Sequence, residues 1–293
     1  MRLLLFLLTL IFPGWAMAEG VIVLDDTGRE IRLEQPAERV IALAPHLTEL
    51  VFELGAEHRL VAVGAHSDYP AAASALPQVG SAQRLDIESI LAQSPDLVLA
   101  WDSGNVQRAL RQLESHGIPV YRSEPRRLEQ VADNLRALGV LLGRRDSGQQ
   151  LAAAFEEELG RLGRIYADRA PVAVFYQIWD QPVMTVNGEH LISEALQLCG
   201  GRNVFADLPR LTPRLDAEAV LERDPEVMLA SAEPGGADPL ARWRGHTGLT
   251  ATERGNLLLL PPDLLVRPSS RVLQGVAALC EALHQARLRR PVH

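Results

Sequence analysis

Three aromatic side chains stand directly after predicted apolar strands, in a chain of which only 5% is aromatic. They are Tyr69, Trp101 and Trp179. In open parallel sheets, ligands gather beyond the carboxyl ends of the strands, and aromatic rings at such places commonly form the walls of binding sites. One such ring could simply cap the core, but three together indicate a site for an apolar molecule.

Other side chains at the same strand ends could bind polar groups of that molecule. Imidazole binds several metals, so the strand-end residues His46 and His66 could converge as metal ligands with His190, which comes from a separate loop. A single loop histidine is more often solvated or a helix cap, and His190 stands in a turn that needs no function. The remaining strand-end residues are Pro45, Ser67, Asp68, Asp102, Ser103, Asp180 and the stretch 263–267, which begins with Asp263 and ends with Arg267.

The sequence carries none of the common signatures of catalytic sites. There is no GxSxG, no GxGxxG opening a helix, no Walker loop and no HExxH. Carboxylates are plentiful, but no pair is distinguished by its setting. We therefore expect a binding protein rather than an enzyme, with no catalytic cofactor and no dedicated metal site.

An internal repeat of sixteen residues predicts how these loops are positioned. LDIESILAQSPDLVLA at 85–100 and LDAEAVLERDPEVMLA at 215–230 share seven residues. Each copy predicts an Asp N-cap, a short helix with Glu in its first turn, a Pro stop and an apolar strand. Strands alternate with helices through most of the chain, which is typical of a largely parallel sheet.

The segment 146–168 lies between the two copies and has the pattern of one long helix. Leu151, Phe155, Leu159, Leu162 and Tyr166 form an apolar stripe at spacings of three and four. Asp146 or Ser147 could cap it, and its length would be roughly 30 Å. The chain is therefore predicted to be an α/β protein of two similar lobes, 19–144 and 170–293. Their largely parallel central sheets would be joined by one long rigid helix at 145–169.

The first 18 residues have the pattern of a secretory signal peptide, cleaved before Glu19. Their apolar run of about eleven residues is shorter than the roughly twenty that span a bilayer. No cysteine stands near the cleavage site for lipid attachment, so we expect a soluble periplasmic protein, monomeric when free. Loss of Arg2 leaves 28 basic against 37 acidic residues, and this excess of acid argues against nucleic-acid binding.

Both cysteines, Cys199 and Cys280, follow the central helix. An oxidising compartment favours a disulfide between them, which would stabilise the fold by about 4 kcal/mol in the chain-entropy model. Two buried free thiols are the alternative.

Several motifs in a fixed order resemble one protein family. They are SDYP at 67–70, LAQSPDLVLAW at 91–101 followed by Gly104-Asn105, LCGGRNVF at 198–205, RPSSR at 267–271 and the second cysteine at 280. This set is similar to the periplasmic substrate-binding proteins of iron-chelate and vitamin B12 ABC importers. The resemblance covers nearly the whole mature chain, and its cysteine pair matches the family's disulfide.

The resemblance implies a tetrapyrrole-like chelate bound in the cleft between the lobes, with cobalamin or another corrinoid as the first choice. The predicted ligand-binding residues are then His66, Tyr69, Trp101, Trp179, Asp263 and Arg267, of which Trp179 is added from a neighbouring strand end and not from the resemblance. His66, Ala82, Thr212 and Leu264 stand where the corrinoid-binding members carry aromatic residues.

His66 suggests alternatives within the family, because its imidazole could be an axial ligand of haem iron or of corrinoid cobalt. A ferric siderophore is a further alternative, although such sites usually carry a basic cluster and Arg267 is one arginine. Free zinc bound by His46, His66 and His190 ranks lower.

The resemblance also implies a partner, the permease dimer of the importer with its ATPase subunits. The family docks through one glutamate on each lobe, and the matching positions are Glu88 and Glu218. Each glutamate could instead simply favour the dipole of its helix, by about 0.3–1 kcal/mol.

Two other classes compete with a transport protein. A two-lobed enzyme such as a tetrapyrrole metal chelatase would share the cleft and the loop histidines, but the signal peptide argues against it. A purely structural partner of a membrane complex would leave the strand-end aromatics unexplained.

Overall fold

The computed structural model describes residues 20–233 and 235–291. The predicted signal peptide and its cleavage site lie outside the described residues. Among the described helices, none is both long enough and apolar enough to span a membrane.

The N-terminal lobe is built on a parallel sheet of four strands in the order β4-β3-β7-β8. Two short antiparallel pairs, β1-β2 and β5-β6, flank it. Its elements are β1 (Val21–Leu24), β2 (Glu30–Leu33), β3 (Val40–Ala42), α1 (Pro45–Glu53), β4 (Leu60–Val63), β5 (Gly80–Ser81), β6 (Arg84–Leu85), α2 (Ile87–Ala92), β7 (Leu97–Trp101), α3 (Gln107–Ser115), β8 (Val120–Ser123) and α4 (Glu129–Leu141).

The C-terminal lobe has a second parallel sheet of four strands, in the order β10-β9-β11-β12. Its elements are β9 (Val172–Gln177), α6 (Leu191–Leu198), β10 (Gly201–Asn203), α7 (Ala217–Arg223), β11 (Val227–Ser231), α8 (Thr250–Glu253), β12 (Leu257–Leu260) and α9 (Val272–Leu288). Short 3-10 turns at 57–59, 71–75 and 241–243 complete the described structure. The predicted fold class, two lobes with parallel sheets, is confirmed.

The helix between the sheets is α5 (Arg145–Tyr166), 22 residues long, or roughly 33 Å at 1.5 Å per residue. Phe155, Leu159 and Leu162 of the predicted stripe are buried in the core. The predicted caps were wrong, because α5 begins at Arg145 and no described side chain caps it. Asp146 instead lies in the first turn, where a negative charge favours the helix dipole.

α4 and α5 pack closely because each has a glycine at the contact. A Cβ atom on Gly148 would lie 2.6 Å from the carbonyl oxygen of Leu135, and one on Gly139 would lie 3.0 Å from the Cα of Gly148. One buried apolar cluster runs from the N-terminal lobe through α4 and α5 into the C-terminal lobe. The lobes are therefore joined by continuous packing.

The repeated phrase forms equivalent elements in the two lobes. α2 leads into β7 and α7 into β11, and both strands are central in their sheets and almost fully buried. The Asp86 side chain caps α2 by accepting hydrogen bonds from the Ser89 N–H and hydroxyl. In the described chain Asp216 does not cap α7 in this way, and Ala219, in the place of Ser89, has no hydroxyl to orient it.

The two cysteines are joined, as predicted. The disulfide Cys199–Cys280 connects the end of α6 to α9, with 4.7 Å between the two Cα atoms.

Candidate ligand-binding cleft

A cavity of about 340 Å³ lies between the lobes, at the carboxyl ends of strands from both sheets. Trp101 ends β7, Glu124 directly follows β8, and Ile178 directly follows β9. The lining residues are Trp101, Ser103, Glu124, Pro125, Arg126, Ile178, His190, Leu191, Ile192, Leu211, Thr212, Leu265, Val266 and Pro268. The strand-end rule therefore locates the cavity correctly in both lobes.

Most of the cavity wall is apolar, and a few polar side chains interrupt it. Arg126 is the cation of the lining, and its guanidinium lies 3.2 Å from the carboxylate of Glu189. Glu124 accepts a hydrogen bond from the Ser103 N–H at 2.8 Å. Apolar walls with a few oriented polar groups suit a small molecule that has an apolar body and a polar rim.

Trp101 is the aromatic residue of the cavity, with 37% of its surface exposed. Its backbone N–H donates to Asn105 Oδ1 at 2.8 Å, and its carbonyl accepts from the Asn105 N–H at 2.9 Å. A Cβ atom on Gly104 would overlap the indole ring, so a glycine is required beside the tryptophan. The indole is thus oriented by the Gly104-Asn105 pair that follows it.

His46 stands edge-on to the Trp101 ring, with 6.1 Å between ring centroids and planes at 88°. It is buried, and its Nε2 atom has no hydrogen-bond partner among the described residues. Burial, with a contribution from the positive charge of Arg267, lowers the pKa of His46 to about 3. The imidazole is therefore neutral at physiological pH and packs against the indole as an apolar group.

The structure does not assemble the three histidines into a metal site. His46 is buried, His66 is exposed with φ of 66°, and His190 belongs to the other lobe. Among the described residues, no group of three or more His, Cys, Asp or Glu side chains is arranged to hold a metal ion. The low-ranked free-zinc alternative was wrong for this reason.

Arg267 lies in an ion-pair network rather than in the cavity lining. Its guanidinium is 3.3 Å from Glu49, 2.6 Å from Asp68 and 2.8 Å from Asp263. Arg271 reaches the same Glu49 at 3.1 Å, and the Ser269 hydroxyl donates to it at 2.6 Å. We call this set, residues 49, 68, 263, 267, 269 and 271, the interlobe cluster, because it joins α1 and the loop after β4 to the C-terminal lobe.

Burial and charge pairing are unequal within the interlobe cluster. The Glu49 side chain is 1% exposed and that of Arg267 is 11% exposed, whereas that of Asp68 is 59% exposed. The hydrogen bond from Arg267 lowers the pKa of the Asp68 carboxyl. Burial raises the pKa of neighbouring Glu53, although the Ser270 hydroxyl donates to its carboxylate.

Tyr69 and Trp179, the other predicted aromatic ligand residues, lie outside the cavity lining. The Arg271 guanidinium covers the Tyr69 ring at 3.6 Å from its centroid, which ties this ring to the interlobe cluster. Trp179 is 62% exposed, and its indole N–H donates to the carbonyl of Gln181. Of the six predicted ligand residues, the described lining includes Trp101, while Asp263 and Arg267 belong to the interlobe cluster.

Sequence reasoning missed several lining residues and undervalued another. Glu124 and Arg126 follow β8, so the strand-end rule could have found them. His190 was dismissed as a turn residue, yet it lines the cavity from the N-terminus of α6. Buried Glu49 carries no local signal, because its arginine partners are 218 and 222 residues away.

The predicted docking residues, Glu88 and Glu218, occupy equivalent places in the first turns of α2 and α7, and both are exposed. An open groove of about 790 Å³ lies beside Glu88. Arg84, Leu91 and Gln112 contribute to its walls. The two glutamates are therefore accessible to another protein.

The two α/β lobes, with a cleft at their strand ends, define a solute-binding protein of the two-lobed type. A family model described as periplasmic binding protein matches residues 40–264, and the chain belongs to this family. This confirms the resemblance noted in the sequence.

Curated relatives and solved structures show which members of this family the chain is similar to. The chain is 35% identical to the vitamin B12-binding protein of Vibrio campbellii over 99% of this chain and 100% of the relative. It is 38% identical to that of Yersinia pestis (strain Pestoides F), over 85% of this chain and 87% of the relative.

A crystal structure of the periplasmic vitamin B12 binding protein BtuF of Vibrio cholerae has a TM-score of 0.80 at 37% identity, with 86% of this chain and 98% of that chain covered. The periplasmic heme-binding protein RhuT from Roseiflexus sp. RS-1 has a TM-score of 0.76 at 25% identity, with 85% and 99% covered.

Proposed function

We propose that this protein is the solute-binding component of an ABC importer and captures a corrinoid, cobalamin or a close relative of it, in the cleft between its lobes. The observation that carries the proposal is the cavity itself, which is walled mainly by apolar side chains of both lobes and includes Trp101 in its lining. A macrocycle with apolar faces and an amide-bearing rim needs such walls and a small number of polar partners. The likeness to vitamin B12-binding proteins over nearly the whole chain supports it.

The same proposal covers location and chemistry. The signal-like segment 1–18 would direct export, with cleavage before Glu19, so that the mature protein acts in the periplasm. The protein would bind its ligand and release it unchanged to the permease. The relatives named above are binding proteins, which supports a role without catalysis.

Haem is the second candidate ligand, because a heme-binding protein is among the structural relatives at 25% identity. Arg126 in the cavity lining could pair with a carboxylate on the rim of haem. His66, exposed in the loop after β4, would then be the first residue to test as an axial ligand.

The deciding experiment is a titration of the purified mature protein with cyanocobalamin, dicyanocobinamide and haemin, each in a separate series. Binding is measured by calorimetry and by absorbance. We expect tight binding of both corrinoids and weak binding of haemin. Tight haemin binding that is lost in His66→Ala would replace the corrinoid with haem. No binding of any of the three would overturn the ligand assignment.

Docking on a permease dimer is a separate proposal, which rests on Glu88 and Glu218. Their exposure and their equivalent positions in the two copies of the repeat support it. Two carboxylates on matching helices could pair with basic residues of two permease subunits. Side-chain pairs at the rim of an interface act mainly on specificity and association rate.

The test is the double charge reversal Glu88→Arg with Glu218→Arg. We expect uptake in cells to be abolished while corrinoid affinity in solution stays unchanged, because neither residue lines the cavity. Glu157→Arg with Glu281→Arg makes the same change in net charge on exposed sites of α5 and α9. Unchanged uptake in the first pair, or equal loss in both, would contradict docking through these glutamates.

A further inference from the structure

His190 has two structural roles, because it caps a helix and lines the cavity. It is the N-cap residue of α6, and its Nδ1 atom accepts a hydrogen bond from the Ile192 N–H at 3.1 Å. It also lines the cleft, together with apolar Leu191 and Ile192 and basic Arg126. The cap holds the ring in one orientation relative to the cavity.

The capping bond determines which ring nitrogen carries the proton. Nδ1 accepts a hydrogen bond and therefore presents a lone pair, so the proton of the neutral ring is on Nε2. Burial, with a contribution from the positive charge of Arg126, lowers the pKa of His190 to about 4. The ring is therefore neutral at the pH of the periplasm, with an N–H at Nε2.

The Nε2 atom of His190 forms no hydrogen bond with any described residue, and it is not among the buried atoms that lack a partner. The atom therefore keeps some accessible surface, on a residue that lines the cleft. Because this nitrogen carries the proton, it offers a hydrogen-bond donor to a ligand. It does not offer the lone pair that a metal requires.

We infer that His190 recognises the ligand by donating its Nε2–H to an amide carbonyl on the rim of the bound corrinoid and that it does not ligate the metal. This inference rests on the proposed function. A neutral donor in an apolar wall satisfies a neutral carbonyl that would otherwise be buried without a partner. It adds no charge of its own that would favour a carboxylate-rimmed macrocycle, so the contribution of His190 favours amide-bearing ligands.

The test separates the two roles of the residue. His190→Ser keeps a good helix cap and removes the Nε2–H, whereas His190→Ala removes both. His116→Ser is the matched control, since His116 is an exposed histidine at the end of α3. The readouts are the affinity for cyanocobalamin and dicyanocobinamide, the thermal midpoint, and the visible spectrum of bound dicyanocobinamide.

We expect His190→Ser to unfold at the wild-type temperature but to bind both corrinoids roughly tenfold more weakly. The spectrum of bound dicyanocobinamide should be the same in wild type and variant. Wild-type affinity in His190→Ser would overturn the inference alone. A wild-type spectrum with imidazole bound to cobalt, lost in His190→Ser, would also overturn it. Wild-type protein that binds neither corrinoid would overturn the proposed function as well.

Discussion

The segment 265–271 contributes residues to both the cavity and the interlobe cluster, two regions that differ in polarity and in how their polar groups are paired. Leu265, Val266 and Pro268 face the cavity, whereas Arg267 and Arg271 reach into the interlobe cluster. The cavity is apolar, and the His190 donor facing it has no partner among the described residues. In the cluster, buried Glu49 is paired with two arginines and a serine. The cluster is complete without a ligand, and the cavity is not.

This difference indicates how the protein divides stability from recognition. The sequence predicted Asp263 and Arg267 as ligand-binding residues, and that stays a prediction. In the structure these two pair with each other at 2.8 Å. Substitutions in the cluster should therefore act mainly on unfolding, and substitutions in the cavity mainly on affinity.

The largest expected effect comes from Glu49→Ala, which leaves two arginines at the lobe boundary without their buried carboxylate. Breaking a buried ion pair from one side costs about 3–5 kcal/mol, and because Asp68 and Asp263 remain beside Arg267 we expect about 3 kcal/mol. Urea unfolding measures it. The control is Glu38→Ala, whose carboxylate is 65% exposed and pairs with Arg59; it should cost under about 1 kcal/mol. Equal small losses would show that the cluster does not hold the lobes.

Trp101→Ala should have the opposite profile, with little change in unfolding and a loss of about 30-fold in corrinoid affinity, or about 2 kcal/mol. The ring is 37% exposed in the free protein and would be covered by ligand. Trp179→Ala should lose less, because Trp179 lies outside the cavity lining. Calorimetric titration of both variants ranks the two rings, and a larger loss in Trp179→Ala would move the site toward the end of β9.

As the pH falls, the stability contributed by His46 beside Trp101 should be lost before that contributed by the interlobe cluster. The pKa of His46 falls from 6.5 to about 3 on folding. Between these two pH values His46 is protonated in the unfolded chain and neutral in the folded protein. The stability linked to neutral His46 is complete above pH 6.5 and is lost as the pH falls toward 3. Between pH 7 and pH 5 the loss should be on the order of 2 kcal/mol.

His46→Leu should reduce the slope of unfolding free energy against pH in that interval. Arg267 lowers the pKa of the Asp68 carboxyl from its ordinary value of 3.8. Above pH 3.8 this carboxyl is therefore ionised in both the folded and the unfolded protein. Its contribution therefore disappears only below about pH 4. Denaturant unfolding at several pH values separates the two regions, and identical slopes in wild type and His46→Leu would refute the assignment to His46.

The smallest expected effect is that of Gly104→Ala. The added methyl group would overlap the indole of Trp101, which must turn away and lose part of its contact with the ligand. We expect roughly tenfold weaker corrinoid binding, about 1.4 kcal/mol, with little change in the thermal midpoint. Gly163→Ala on α5 is the control, because nothing lies within 4 Å of the new Cβ there, and it should leave affinity unchanged.

Local patterns predicted much of the fold because they report local geometry. The apolar stripe of α5 and the two copies of the α2-β7 and α7-β11 unit each lie within a short stretch of chain. The same holds for the strand ends, so the rule that ligands gather there placed Trp101 in the cleft. Asp216 occupies the predicted N-cap position of α7, but its side chain accepts no capping hydrogen bond, a difference from Asp86 that the local pattern does not indicate.

The candidate site was less predictable because its chemistry depends on distant contacts. His190 has no local signal beyond that of a helix cap, and its exposure to the cleft depends on the opposite lobe. Glu49 is one of several polar residues of α1, and nothing local distinguishes it until its partners on the other lobe are known.

By itself, the sequence determined the α/β class, the repeated half, the joining helix, the cysteine pair and the family. These follow from periodicity, composition and motif order, which need no knowledge of what lies across the molecule. The tertiary structure alone decided that Arg267 binds Glu49 and Asp68, that His46 is buried neutral behind Trp101, and that His190 faces the cleft. A side chain's charge state and partners are determined by the groups that folding places around it, and those groups come from residues far apart in the chain.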